Sequence, residues 1–356
     1  MILQLLRYLL LPFTLLYGSI VWLRNRLYDV GFMSSVSFDI PVIAVGNLSV
    51  GGTGKTPHIE YLIRLLQYEY KVATMSRGYK RKTRGFLLAD AATNAVKIGD
   101  EPMQYHLKFP ELVVSVAEDR MTGIPSLLMR RPEVEVVLLD DAYQHRSVKP
   151  GLNILITDFS RPFYADYILP YGRLREGRMA YKRADIIVVS KCPGKLSGNE
   201  ADRMIRSIHP LPHQKVFFST IQYGAAYHFF DQTTADFKGK NVLLIAGIAR
   251  PEPLVTHLEQ EAKKVHLLEY PDHHFFTERN FEEIKDTVRN WDNDCVIVTT
   301  EKDATRLHLR PELLQSIPVP IIVLPIEVRI LLGQQNEFDA LLRSFVLEQT
   351  EKFIAE

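Results

Sequence analysis

The chain has 356 residues, 46% of them hydrophobic and 24% charged, and its formal net charge is +1. This is long enough for two domains, ordinary for a soluble globular protein, and too nearly neutral to attract nucleic acid through a global field. Cys192 and Cys295 are the only cysteines, which argues against a disulfide scaffold and a thiolate zinc site and fits a reducing compartment.

The opening stretch "MILQLLRYLLLPFTLLYGSIVWL" carries one charge, Arg7, and is followed by Arg24 and Arg26. A signal peptide would place its charge earlier and end in small residues. The uncharged run 8–23 would span about 24 Å as a helix, short of a hydrocarbon core of about 30 Å, and Pro12 weakens it further. A helix lying in or dipping into the membrane interface suits this run better than a spanning one. The other reading is an apolar helix packed on the domain, but Tyr8, Tyr17 and Trp22 beside arginines favour lipid.

From residue 40 onwards, apolar runs at 41–47, 71–75, 111–117, 134–141, 152–158 and 185–191 alternate with helical patterns at 57–70 and 119–131. Such runs read as buried parallel strands with crossover helices, hence a doubly wound α/β domain. Residues 215–231 read as two strands around Gly224, an antiparallel ribbon. A second α/β set follows at 241–247, 263–274, 295–303 and 319–325. The expected organisation is an apolar helix (1–28), a phosphate-loop domain (29–212), a β-ribbon linker (213–236) and a smaller α/β domain (237–356), with a cleft between the two α/β units.

The stretch "SVGGTGKTP" (49–57) is a phosphate loop lacking its first glycine, since Ser49 stands there. Glycines let backbone amides turn onto phosphate oxygens, lysine reaches the β- and γ-phosphates, and a hydroxyl holds Mg²⁺. Ser49, Val50, Gly51, Gly52, Thr53, Gly54, Lys55 and Thr56 form the candidate nucleotide site, and Pro57 sits in the first helical turn without cost. The dimerising ATPases with a related loop carry a lysine where this chain has Val50, so that subgroup does not fit. "LLDDAYQHR" (138–146) ends a strand on Asp140 and Asp141, which suits a Mg²⁺ carboxylate; helix capping is the competing role for one of them.

Three polar clusters follow other strands: Arg77 and Tyr79 in "SRGYKRKTR", Asp100 and Glu101 in "IGDEP", and Arg173, Arg175 and Glu176 in "YGRLREG". Clustered cations in a neutral chain point to an anionic ligand larger than the nucleotide. In "YPDHHFF", Asp272, His273 and His274 put a carboxylate beside imidazoles, as proton transfer requires. "TTEKDATR" has Glu301 where a guanine-reading box has asparagine, which argues against GTP.

The motifs "GNLSVGGTGKTP", "SRGY", "GDEP", "DDAYQH", "LPYGRLRE", "AGIARP", "PDHH" and "TTEKD", in this order from residue 46 to 303, resemble those of the tetraacyldisaccharide 4′-kinases, the lipid A 4′-kinases of Gram-negative bacteria. Ala142-Tyr143 departs from the family's commoner Gly-Phe. The resemblance implies transfer of the ATP γ-phosphoryl group, with Mg²⁺, to the 4′-hydroxyl of an acylated disaccharide 1-phosphate, giving lipid IV-A. It implies Lys55 and Thr56 on the phosphates and Mg²⁺, with Asp140 and Asp141 completing the metal shell. Asp100 is then the general base and His273 its partner, while Arg77, Tyr79, Glu101, Arg120, Gln144, His145, Arg175 and Glu176 fall in active-site motifs. It further implies work at the cytoplasmic face of the inner membrane, peripheral or monotopic, with no obligatory protein partner. A nucleotide-controlled switch protein and a membrane-bound module with a vestigial site are the rivals. The first needs a guanine box and the second predicts loss of Lys55 or the aspartates.

Overall fold

The apolar runs of the first unit pair as parallel strands buried along almost their whole length. In the computed structural model, which describes residues 9–289, 291 and 294–355, β1 (Val42–Asn47) lies between β5 (Val136–Asp140) and β6 (Leu152–Asp158). Arg7 and Tyr8, read as part of the interfacial helix, lie outside the described residues. With β2 (Val72–Ser76), β3 (Leu87–Leu88), β4 (Val113–Val116), β7 (Ile186–Ser190), β8 (Lys215–Tyr223) and β14 (Ile326–Ile330) they form a nine-stranded sheet. Its order is β14-β8-β7-β6-β1-β5-β2-β4-β3. Strands apolar on both faces require cover on both. Here it comes from α2 (Lys55–Leu66), α3 (Ala95–Ile98), α4 (Asp100–Lys108), α5 (Arg120–Arg130) and α6 (Gly198–Ile208), the last started by a Ser197–Glu200 capping box.

The second sheet has five strands, ordered β11-β10-β12-β13-β9: β11 (Lys264–Glu269), β10 (Asn241–Ala246), β12 (Cys295–Thr300), β13 (Ile321–Leu324) and β9 (Tyr227–His228). Around it lie α7 (Glu252–Glu259), α8 (Glu278–Arg289), α9 (Glu301–Leu307) and α10 (Pro311–Gln315).

The expected ribbon at 213–236 does not form. β8 pairs in parallel with β7 and antiparallel with β14, Tyr223 facing Ile326, whereas β9 pairs with β13 of the other sheet. The run 215–231 is thus split between two sheets at Gly224, whose amide bonds the Pro325 carbonyl. The C-terminal boundary shifts too. β14 and α11 (Gln335–Ala355) return to the first sheet, where Val328, Ile330, Phe338, Leu342 and Val346 share a core with Ile43 and Ile59. Apolar periodicity reports that a segment is buried, but not which sheet buries it.

α1 (Leu11–Asp29) has Pro12 in its first turn, where a proline breaks no helix bond. Of its half-buried positions, Thr14, Tyr17, Gly18, Val21, Arg24, Asn25 and Tyr28 recur at helical spacing and form the docking face. Tyr17 Oη donates to the Arg175 carbonyl at 2.9 Å, Asn25 Nδ2 to Glu176 Oε2 at 2.7 Å and Arg24 to the Gln144 carbonyl at 2.8 Å. The opposite side exposes Phe13, Leu15, Leu16, Ile20, Trp22 and Leu23, with Leu15 71% and Trp22 67% accessible. That arrangement reverses the usual one for a surface helix.

Candidate active site

The chain leaves β1 into the phosphate loop and enters α2 at Lys55, with Gly54 at the cap in the left-handed region, φ +90°. Glycine suits that conformation. A Cβ at Gly51 or Gly52 would meet nothing within 4 Å, so the loop's mouth is open. Asn47 Nδ2 braces the loop from within through Thr53 Oγ1 at 2.8 Å. The first-turn amides of α2 have no partner inside the helix and form its anion-binding end. Part of the sequence-based cradle is engaged elsewhere. Ser49 pairs with Leu174 and the Val50 amide bonds the Arg173 carbonyl at 2.8 Å, so that amide is not free for a phosphate.

Asp140 ends β5 and Asp141 follows at φ +50°. No helix starts after them, which removes the capping alternative. Lys55 Nζ is 3.5 Å from Asp141 Oδ1, and Arg175 Nη1 is 3.0 Å from Oδ2. Burial alone would raise the Asp141 carboxyl, yet Lys55 and Arg175 hold it below the usual carboxylate range. For Asp140, burial and then the Asp141 charge win over Lys55 and push it up to about 7. Its Oδ2 accepts from Tyr105 Oη at 3.0 Å, while Oδ1 is buried with no partner. Tyr105 also interacts with the Thr56 hydroxyl, so Thr56, Tyr105 and Asp140 form one cluster.

Groups from both α/β units meet at Asp100. Asp100, the first residue of α4, is buried, and its Oδ2 lies 2.7 Å from His273 Nδ1 and 3.7 Å from Arg306 Nη1. His273 itself is left-handed, φ +65°. Lys302 Nζ sits 3.3 Å from His273 Nε2. An ammonium only donates, so Nε2 accepts and the ring hydrogen is on Nδ1, pointed at Asp100. Arg306 is also paired with Asp303, whose Oδ2 caps the Gly247 amide at 3.1 Å. Tyr79 places its ring edge on the His273 ring, centroids 5.5 Å apart. His274, by contrast, bonds Asn280 at 2.9 Å and stacks on Tyr270, which is a structural role.

The geometry acquires a family through comparison with known proteins. The family model described as tetraacyldisaccharide-1-P 4′-kinase matches residues 6–347. This chain belongs to that family. It is 43% identical over 355 residues to the tetraacyldisaccharide 4′-kinase of Bacteroides thetaiotaomicron, covering 96% of this chain and 93% of the relative. It is 45% identical over 350 residues to that of Flavobacterium johnsoniae, covering 98% and 99%. Among solved structures, LpxK from Aquifex aeolicus in complex with ATP superposes with a TM-score of 0.73 at 27% identity, covering 96% of this chain and 99% of that one. The chain is thus a tetraacyldisaccharide 4′-kinase, an enzyme that uses ATP to phosphorylate the 4′ position of tetraacyldisaccharide 1-phosphate in lipid A biosynthesis.

Not every motif residue of the kinase faces the cleft as a free group. Glu176 is fully buried and committed to Asn25, Gln144 and Arg183, so it ties α1 to the loop. Gln144 bonds the Asn47 carbonyl at 2.8 Å and braces Arg175 at 3.2 Å. Arg120 is buried under Asp140, donating to the Ala117 carbonyl at 2.8 Å, and burial brings it down to about 10 despite the two aspartates. Burial, then Arg120 and Arg77, hold His145 near 4, hence neutral. Arg77 and Tyr79 are exposed at the rim, and Glu101 adds its charge to those acting on Asp140. Sequence reasoning missed Tyr105, Arg306 and Lys302. Tyr105 lies five positions after Asp100, but only the fold reveals that it reaches Asp140.

The raised Asp140 carboxyl has a thermodynamic signature. A carboxyl whose folded pKa exceeds its unfolded one stabilises the fold below the unfolded value, and this contribution is lost as pH rises through the folded pKa. The window here runs from about 4 to about 7, and the effect is at most about 4 kcal/mol at about 1.36 kcal/mol per pH unit. Glu301, raised to about 7 by burial and Glu60, acts with the same sign. Asp140→Asn is therefore expected to flatten, without abolishing, the fall in thermal stability between pH 5 and 8. A variant with the wild-type slope would show that Asp140 is ionised throughout.

Proposed function

We propose that this kinase holds the ATP phosphates on the Gly51–Thr56 loop while Asp100 takes the proton of the incoming 4′-hydroxyl. The observation that carries the reading is the Asp100–His273 pair, 2.7 Å apart and contributed by the two α/β units, with α4 carrying both Asp100 and the Tyr105 that touches Asp140. Phosphoryl transfer is mainly positioning and neutralisation of charge. Lys55 supplies a cation to the β- and γ-phosphates, and Arg175 adds charge beside Asp141. His273 and Arg306 hold Oδ2 of Asp100, leaving its other oxygen for the hydroxyl proton. With Nε2 already accepting from Lys302, His273 orients the carboxylate rather than removing the proton itself.

The donor set suits Mg²⁺. Among the described residues no group of three or more His, Cys, Asp or Glu side chains is arranged to hold a metal. Mg²⁺ characteristically takes one or two carboxylates and completes its shell with phosphates and water. Asp140, with its unpartnered buried oxygen, and the Thr56 hydroxyl would hold it, with Asp141 in the outer shell. Bound there, the ion would neutralise charge building on the phosphate oxygens. The experiment is the Asp100→Asn exchange: transfer lost with ATP still bound supports the base, and undiminished transfer refutes it.

The acyl chains of the substrate keep it in a bilayer, each buried CH₂ being worth about 0.8 kcal/mol. No helix of the described residues is long and apolar enough to cross a membrane. The reading is peripheral attachment through the exposed side of α1, six apolar side chains beside the active-site loops. Each such side chain contributes roughly 1.5–3 kcal/mol when withdrawn from water. Leu16→Glu with Ile20→Glu is expected to abolish sedimentation with phospholipid vesicles while leaving ATP affinity unchanged. Sedimentation equal to wild type would move the attachment to another surface.

A further inference from the structure

Three consecutive carbonyl groups of the phosphate loop are held by side chains that lie outside every motif singled out from the sequence. Lys191 Nζ donates to the Gly52 carbonyl, Ser190 Oγ to the Thr53 carbonyl at 2.5 Å, and His58 Nδ1 lies 2.7 Å from the Gly54 carbonyl oxygen. Ser190 ends β7 and Lys191 follows it at φ +57°, which turns that side chain onto the loop. His58 belongs to α2, and its Nε2 is 3.0 Å from Ser219 Oγ of β8. A carbonyl only accepts, so Nδ1 carries the ring hydrogen and Nε2 accepts from the Ser219 hydroxyl. His58, Ser190 and Ser219 are all buried, and burial holds the His58 ring near 4, hence neutral.

In a planar trans peptide the carbonyl of one residue and the amide of the next point in opposite directions. Drawing the Thr53 and Gly54 carbonyls towards β7 and α2 therefore turns the Gly54 and Lys55 amides to the other side. The Thr53 amide is already taken by the Gly51 carbonyl at 3.1 Å. We propose that His58 and Ser190 act as a carbonyl clamp, positioning residues that preorganise the Gly54 and Lys55 amides for the terminal phosphates of ATP, while Lys191 only fixes the Gly52 carbonyl at the loop's entry. The inference rests on the reading that this loop binds those phosphates. Without the clamp, binding would have to order the peptides first, and preorganisation removes that penalty.

The test compares ATP with AMP, which lacks the terminal phosphates, by calorimetric or competition titration on full-length protein. His58→Phe keeps a buried ring without the donor and without a change of charge; Ser190→Ala removes the hydroxyl alone. In each, the ratio of ATP to AMP affinity is expected to fall about tenfold, the scale of one or two lost hydrogen bonds. His58→Asn and Ser190→Thr, which keep a donor, are expected to retain most of it. Should His58→Phe fail to fold, Ser190→Ala, which removes a single hydroxyl at the end of β7, answers alone. Ratios equal to wild type in folded variants overturn the clamp. Wild-type protein that binds ATP no more tightly than AMP overturns the loop assignment instead.

Discussion

Asp100→Asn is expected to lower turnover about 10³-fold with little change in ATP affinity, within the 10²–10⁴ range of a positioned general base. The substitution preserves shape and removes the basic oxygen, while the phosphate loop, on a different element, is untouched. His273→Ala is expected to cost less. It removes the 2.7 Å bond that aims the carboxylate but leaves Arg306 beside it and the base itself in place. Rapid-quench turnover with separate ATP titration distinguishes the two roles. A His273 variant as impaired as Asp100→Asn would mean that the imidazole handles the proton. An Asp100 variant that loses ATP affinity in proportion to turnover would mean that Asp100 serves the nucleotide.

Lys55→Ala is expected to impair both terms, with turnover over Michaelis constant falling about 10³-fold or more. A lysine on the β- and γ-phosphates acts in the ground state as well as in the transition state, and removal of one preorganised charge contact characteristically costs about 10²–10³. The loss is compounded here because Lys55 is one of two cations holding Asp141 below the usual carboxylate range. Without it, Arg175 and the buried Arg120 are left to balance the repulsion between Asp140 and Asp141, and the pair is expected to keep a proton at higher pH. Unchanged ATP affinity in Lys55→Ala would place that side chain off the phosphates.

Much of the first sheet could be read directly, because strands such as 42–47 and 136–140 are apolar on both faces and end at the polar residues that matter. The same logic failed at 215–231, where an apolar run reads alike whether its partner is its neighbour or β14, a hundred residues further on. The candidate site divides in the same way. Lys55, Thr56 and Asp140 follow from the local chemistry of a loop and a strand end. The meeting of Asp100 with His273 spans 173 residues and two sheets, so it came only through family resemblance. Pattern also assigned Val50 to the cradle, because a motif records residue types whereas the direction of an amide is set by its partner, here the Arg173 carbonyl. Tyr105 and His58 carry no motif at all, and Arg306 only ends a stretch weighed for another role. Their roles exist only once helix and sheet bring them against a carboxylate or a carbonyl.

The central claim is that a phosphate held on the loop is handed to a sugar hydroxyl activated across the cleft. Incubation with ATP labelled at its terminal phosphate and tetraacyldisaccharide 1-phosphate in mixed micelles tests it most directly, with mass and position analysis of the lipid. The account predicts one added labelled phosphate, on the 4′ oxygen, formed in step with ADP and suppressed in Asp100→Asn. Release of labelled inorganic phosphate with the disaccharide unchanged would contradict it.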